Sequence, residues 1–187
     1  MLRHSETTAN FSRYAAFIAA NPEWPSAALL RRRAERRLWQ ERSDAATVRG
    51  FTGDEPISAR GKLALARVRL AEGDRDASGR LVRDAWRSDE LSERVEAEAL
   101  EMFRDLLTRE DHRARMDRRI GAKDLAGARR AAQRLGSDEL AIVKACAAVR
   151  GKANKALDAL DAVATEARQD LGYTLCRIQW MLAPEQD

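Results

Sequence analysis

The segment FSRYAAFIAANPEWPSAALLRRRAERRLW, residues 11–39, holds two helical patterns separated by a short break. In the first pattern, apolar residues recur at steps of three and four, as on one face of an α-helix. Asn21 can end a helix in the left-handed conformation, Pro22 cannot continue it, and Pro25 can open the next one without losing a hydrogen bond. The segment therefore predicts a helical hairpin with Trp24 as a hydrophobic plug in the link.

The same periodicity continues along the chain, and no stretch shows the alternation of a strand. The predicted helices cover 6–20, 25–41, 44–49, 58–72, a segment capped by Asp74 that runs through 77–86, 92–107, 109–120, 124–135, 137–149, 152–163 and 170–182. The helix at 58–72 is apolar almost all round, which indicates that neighbours cover it on more than one side. These patterns predict an all-α chain of about ten helices.

A faint repeat suggests how these helices are arranged. GDRDASGRLV, AKDLAGARRA and GKANKALDAL each read as a turn followed by a helix that opens with small residues. Ser78, Ala128 and Ala156 fall at matching places, where a small side chain lets paired helices approach closely. The repeat favours an α-α superhelix of the tetratricopeptide-like solenoid type, forming a single domain over 1–187. The last predicted helix is very apolar, so we expect it to leave an open face.

Charge is abundant but evenly mixed. The chain carries 34 basic and 30 acidic side chains, for a net charge of +4. The local basic cluster LLRRRAERRLW could contact phosphate, carboxylate or nucleic acid, and Arg33, Arg36 and Arg37 are its candidate ligand-binding residues. An ordinary solvated face is the favoured interpretation, because Glu35 and Glu41 dilute the cluster. Solvated faces are also predicted for LSERVEAEALE and TREDHRARMDRR.

The two cysteines, Cys146 and Cys176, both fall in predicted helices among apolar neighbours. A disulfide between adjacent helices is one interpretation. Two buried free thiols is the favoured one, since lone cysteines often act as small core hydrophobes.

Motifs of the common catalytic and cofactor-binding types do not occur in the sequence. There is no G-x-S-x-G, no phosphate-binding loop, no dinucleotide fingerprint and no C-x-x-C, and the histidines are His4 and His112. We therefore expect no catalytic, metal or cofactor residues in this chain. The four tryptophans are predicted to be plugs between helices rather than platforms for sugar rings. No segment reaches the ~18 apolar residues of a membrane span, and YAAFIAA is predicted to be a helix rather than a targeting signal.

Several stretches resemble, in the same order, the helical domain of soluble lytic murein transglycosylases of the alphaproteobacterial type. They are the opening segment, GKLALARVRLAEGDRDASGRLVRDAWR, LLTREDHRARMDRRIGAKDLAGARRAAQRLG and LDAVATEARQDLGYTLCRIQWM. Together they extend from about Phe11 to Met181. The resemblance implies an N-terminal superhelix that forms a U or a ring in a periplasmic enzyme.

In that family a separate lysozyme-like domain cleaves the peptidoglycan glycan strand, with one glutamate as general acid and then base. Its marks are a Glu-Ser dipeptide, a Gly-Leu-Met-Gln turn and an Ala-Tyr-Asn-Ala-Gly stretch, and none occurs here. The resemblance therefore implies a non-catalytic scaffold that positions the glycan or cell-wall proteins. The alternatives are a stand-alone tetratricopeptide-like scaffold for protein partners and, ranked last, a nucleic-acid binder.

Overall fold

The structure is a computed structural model of the chain, and it describes residues 9–88 and 91–183. These residues form eleven α-helices and two short 3-10 helices, and no strand occurs among them. The predicted all-α class is therefore confirmed. The chain divides into two compact units, one ending at Leu107 and the next beginning at Thr108. The prediction of a single domain depends on how these units associate, and it stays a prediction.

The first unit contains six α-helices in its described residues. They are α1 (Phe11–Ala20), α2 (Ala27–Gln40), α3 (Ala45–Thr52), α4 (Ala59–Ala71), α5 (Arg75–Ser88) and α6 (Glu93–Phe103), followed by a 3-10 turn at Arg104–Leu106. Helices adjacent in sequence pack together, as α1 does with α2 and α4 with α5. Consecutive helical hairpins are thus the building pattern of this unit.

Helix α4 is the centre of the first unit. Leu63, Ala64, Leu65 and Ala66 are at most 1% exposed, although they point in different directions around the helix. They are covered because α2, α3 and α5 all pack against α4. The prediction that this helix is covered on more than one side is confirmed.

The α1–α2 link is a helical hairpin, as predicted, but it is built differently. Asn21 is not left-handed (φ −137°). Its side-chain amide instead donates to the carbonyl of Phe17 at 2.9 Å, which satisfies an open carbonyl at the helix end. Helix α2 begins at Ala27, so Pro25 lies in the turn before it rather than at its first position. Trp24 packs edge-on against Phe17 with ring centroids 5.3 Å apart.

The boundary of the first helix also differs from the prediction. Asn10 accepts a hydrogen bond from the N–H of Arg13 at 3.1 Å and caps α1, so the helix begins at Phe11. Of the predicted span 6–20, residues 6–8 lie outside the described residues.

Glu35 links α2 to the start of α4. It is completely buried, and its carboxylate accepts from the N–H of Ile57 at 2.9 Å and from the hydroxyl of Ser58 at 2.5 Å. Arg31 supplies a positive charge 3.6 Å away. Gly61 makes room for this contact, because a methyl group there would collide with Glu35 and with Pro56. Glu35 therefore does not belong to the solvated face that was predicted for the arginine run, although Arg32 and Arg36 of that run are exposed.

Small residues allow close pairing at two of the predicted repeat positions. Ser78 is fully buried and donates from its hydroxyl to the carbonyl of Ala66 at 2.8 Å, across the α4–α5 pair. Ala128 is also fully buried, where α8 packs against α7. The predicted role of small side chains at these places is confirmed.

The second unit contains five α-helices in its described residues. They are α7 (Arg109–Gly121), α8 (Leu125–Ala132), α9 (Ser137–Arg150), α10 (Ala156–Asp161) and α11 (Leu171–Met181), with a 3-10 segment at Thr165–Gln169 before α11. Helix α10 begins later than predicted, because residues 151–155 form turns in which Lys152 has a φ of +50°. Helix α11 packs against α7, α9 and α10, which closes this unit around its own core.

A disulfide joins α9 to α11. Cys146 and Cys176 are bonded, with Cα atoms 5.3 Å apart and a sequence separation of 30. Both residues are buried in the core of the second unit. The favoured prediction of two free thiols is wrong, because packing of α11 against α9 brings the two side chains together.

Charged side chains are buried more often than the sequence suggested. In α7, Asp111 is 0%, Arg115 1% and Arg119 4% exposed, so the prediction that this stretch is a solvated face is wrong. Asp111 caps α7 by accepting from the N–H of Thr108 at 2.7 Å, in a capping box. In α6, Glu96 is 1% exposed. Mixed charge patterns therefore did not reveal which faces the helices bury.

Helix α11 has an exposed apolar face, as expected. Leu171, Ile178, Met181 and Leu182 expose between 47% and 78% of their surface. Among the described residues, no helix combines the length and the apolar content needed to cross a membrane.

Candidate functional site: an arginine-lined pocket beside Trp39

The three predicted ligand-binding arginines do not share one environment. Arg33 and Arg37 are half-buried, and each interacts with other groups of the chain. Arg36 is exposed and lies one helical turn before Gln40, on the same side of α2. The positive charge of Arg36 also acts on Arg60 of α4.

The Trp39 pocket lies between the end of α2, the middle of α4 and one side of α6, from Arg94 to Met102. Its lining includes Trp39, Gln40, Arg42, Arg67, Glu98 and Glu101, and its volume is about 410 Å³. Arg94 and Met102 of α6 complete the lining. This volume lies within the range of known small-ligand pockets, about 300–1,000 Å³.

Trp39 forms a fixed wall of this pocket. Its side chain is only 5% exposed, and its indole Nε1 donates to Glu98 at 2.9 Å. The ring also packs against Phe103, with centroids 6.4 Å apart. Trp39 and Trp86 are core residues, as predicted, whereas Trp24 is 39% exposed and is not the buried plug that the sequence predicted.

Arg67 is held over the face of Trp39. Its guanidinium carbon lies 5.8 Å from the ring centroid, and its Nη2 donates to the carbonyl of Ser43 at 2.8 Å. Burial lowers the pKa of Arg67, and repulsion from the neighbouring Arg42 lowers it further. Arg67 is therefore a positioned cation that lies close to a second cation.

Glu98 does not neutralise these two arginines by an ion pair. It accepts from Nε of Arg94 at 2.8 Å as well as from Trp39. The hydrogen bond from Arg94 is the main reason that the pKa of Glu98 lies below its usual value. This carboxylate is thus committed to partners within the protein.

Arg60 of α4 adds a further positive charge near this pocket, since the charges of Glu98 and Arg94 act on it. Burial lowers the pKa of Arg60, and repulsion from Arg36 adds to that effect. The Nε of Arg60 is buried, and no hydrogen-bond partner for it exists among the described residues. The surface of this region therefore combines cations from α2 and α4 that repel one another.

The lining carries one positive charge in excess, since three arginines and two glutamates contribute to it. Within residues 9–88 and 91–183, neither Arg42 nor Arg67 forms an ion pair with a carboxylate. Guanidinium groups in this state favour an anionic ligand, since they can bind a carboxylate or phosphate through paired N–H donors. The pocket is suited to binding an anion.

A second pocket lies in the second unit, and its arginine already forms ion pairs with carboxylates of the protein. Arg113 lies 2.6 Å from a carboxylate oxygen of Glu139 and 3.6 Å from one of Asp170. Behind it, Asp117 and Asp170 both accept from the N–H of Gly172, at 3.1 Å and 2.9 Å. Burial, followed by the hydrogen bond and the charge of Asp170, raises the pKa of Asp117 to about 7.

The Asp117–Asp170 pair predicts a pH-dependent stability. Folded Asp117 keeps its proton at pH values where an unfolded aspartate, with an ordinary pKa of 3.8, has lost it. This contribution to stability is full below the unfolded pKa and is lost as the pH rises through about 7. We expect the melting temperature of the chain to fall between pH 5 and pH 8 and the fall to be smaller in Asp117→Asn. Asp161→Asn, at an exposed site, is the control. An unchanged slope in Asp117→Asn would contradict the assignment.

Sequence reasoning found Arg36 but missed Arg42 and Arg67. Arg42 follows the end of a helix, and Arg67 lies in a helix singled out for its apolar residues. They come together only because α2 packs against α4. Their separation of 25 positions in the sequence does not indicate that they lie close together in the fold.

Comparisons with models of known protein families, with curated proteins and with solved structures give no match. In the part of the chain that the structure describes, no three His, Cys, Asp or Glu side chains group as a metal ion would require. The Trp39 pocket is therefore interpreted from its own geometry and charge.

Proposed function

We propose that this chain is a non-catalytic helical scaffold domain of a peptidoglycan lytic transglycosylase, which positions the cell-wall glycan and its partners. The observation that carries the proposal is the Trp39 pocket, where Arg42 and Arg67 form no ion pair among the described residues and the lining has an excess of one positive charge. Peptidoglycan carries carboxylates that such groups can bind by charge-assisted hydrogen bonds. The ordered resemblance over residues 11–181 supplies the family.

The disulfide supports the location that the proposal requires. Disulfides persist in oxidising compartments such as the bacterial periplasm and are rare in the reducing cytosol. The Cys146–Cys176 bond is buried between two helices, as a structural disulfide is. We therefore propose a periplasmic protein.

A sedimentation assay tests the proposal. Purified chain is mixed with insoluble peptidoglycan at low and moderate salt, and soluble muropeptides are measured in the same tubes. We expect the chain to pellet without releasing muropeptides, and to pellet less in Arg36→Glu and in Arg42→Glu. Arg118→Glu is the matched control, because it makes the same charge change at an exposed site of α7.

Each outcome of this assay is informative. A chain that does not pellet is not a wall-binding domain. Release of anhydro-muropeptides would contradict the non-catalytic assignment. Unchanged pelleting after charge reversal at Arg33, Arg36 and Arg37 would exclude these arginines as ligands.

A stand-alone tetratricopeptide-like scaffold for protein partners is the second proposal. It is favoured by the exposed apolar face of α11, since large apolar patches often mark protein interaction sites. A lysozyme-like domain encoded downstream in the same reading frame would reject it.

A further inference from the structure

We infer that the Trp39 pocket binds the free C-terminal carboxylate of a short peptide, held by the guanidinium groups of Arg42 and Arg67. The inference deepens the proposed function and rests on it for the natural source of the peptide. The chemistry of the pocket can be tested without the cell wall.

The two arginines present donors from two different elements. Arg42 follows the end of α2, has a φ of +50° and is exposed. Arg67 comes from α4 and is fixed by Ser43 on one side and by the ring of Trp39 on the other. A carboxylate between them would relieve the repulsion that these two cations exert on each other. This repulsion is present in the free protein, and its relief favours binding.

The total charge of the lining selects a monoanion. Three arginines and two glutamates line the pocket, which leaves one positive charge in excess. A single carboxylate balances that charge. A phosphate dianion, or a polyanion such as nucleic acid, would place further negative charge beside Glu101, which is exposed and forms no ion pair among the described residues.

The rest of the lining fits a peptide better than a simple inorganic anion. Gln40 offers both a donor and an acceptor to a peptide backbone, and Met102 offers an apolar contact. Glu101 can accept N–H groups of a bound chain. The cavity of about 410 Å³ has room for more than a carboxylate alone.

Isothermal titration calorimetry of the full chain tests the inference with tri-alanine acetylated at its N-terminus, so that the carboxylate is its only charge. The corresponding carboxamide and inorganic phosphate are the comparison ligands. We expect the free acid to bind at least about tenfold more tightly than the carboxamide, since a hydrogen bond to a charged group contributes about that factor to an affinity. Arg42→Ala should weaken binding of the free acid by a similar factor. Arg118→Ala, at the exposed α7 site, should leave binding unchanged.

A second variant separates binding from folding. Arg67→Lys keeps the charge over Trp39 but removes the planar pair of donors, so its circular dichroism should match the wild type while its affinity for tri-alanine falls. Equal affinity for the acid and the carboxamide, an unaffected Arg42→Ala, or no binding of tri-alanine would each overturn the inference. Tighter binding of phosphate would do the same.

The outcome can be separated from that of the sedimentation assay. If tri-alanine binds through Arg42 but the chain does not pellet with peptidoglycan, the proposed function fails and the pocket chemistry stands. If the chain pellets and tri-alanine does not bind, the proposed function stands and the inference fails.

Discussion

Reduction of the Cys146–Cys176 bond is expected to lower the free energy of unfolding of the second unit by about 3–4 kcal/mol, as chain entropy predicts for a closed loop of this length. The bond joins α9 to α11 across 30 residues and so restricts the unfolded chain. This loss is large because small domains are stable by only about 5–15 kcal/mol in total.

Urea unfolding with and without a reductant measures this effect. The Cys146→Ala/Cys176→Ala variant should unfold like the reduced wild type, and its curve should not respond to the reductant. The first unit contains no cysteine, since none lies before Cys146, so the reductant should not change its unfolding. The first unit therefore serves as an internal reference. Two titratable thiols in denatured chain that was never reduced, or superimposed unfolding curves, would contradict the disulfide.

Glu35→Ala is expected to destabilise the first unit by about 2–4 kcal/mol, because it leaves buried donors unpaired and Arg31 without its counter-charge. The carboxylate is fully buried and receives the N–H of Ile57 and the hydroxyl of Ser58 at the start of α4. Since α4 is the centre of its unit, loosening its first turn affects the packing of α2 and α3 as well.

Thermal and urea unfolding of Glu35→Ala, Glu35→Gln and Arg32→Ala test this expectation. Glu35→Gln keeps one acceptor oxygen and should lose less stability than Glu35→Ala. Arg32 is exposed on the same helix, so Arg32→Ala should stay within about 0.5 kcal/mol of the wild type. A Glu35→Ala variant as stable as Arg32→Ala would show that the buried carboxylate contributes nothing.

Helix positions were predictable because local chemistry decides them. Ser92, Thr108 and Asp124 each cap a helix within one residue of the predicted start, through a side chain that accepts a backbone N–H. The errors came where two local signals competed. Residues 152–155 were predicted to be helical, but they form turns before α10, and the segment 165–169 was not predicted as 3-10 at all.

The candidate site was only partly predictable. Arg36 was named because a run of arginines is visible in sequence, while Arg42 and Arg67 lie in unremarkable surroundings. Their shared position depends on the packing of α2 against α4 and on the anchoring of Trp39 by Glu98. Neither contact leaves a periodic pattern in the sequence, because each joins residues that are far apart along the chain.

The sequence by itself determined that the chain forms helices rather than strands in its described residues, and where most helices begin, since capping and a 3.6-residue period act over a few residues. Only the tertiary structure decided the state of the charged and sulfur-containing side chains. Glu35 and Arg115 are buried, Cys146 is bonded to Cys176, and Arg42 lies close enough to Arg67 to repel it. Each of these facts depends on which helices pack together. Burial and pairing are properties of that packing.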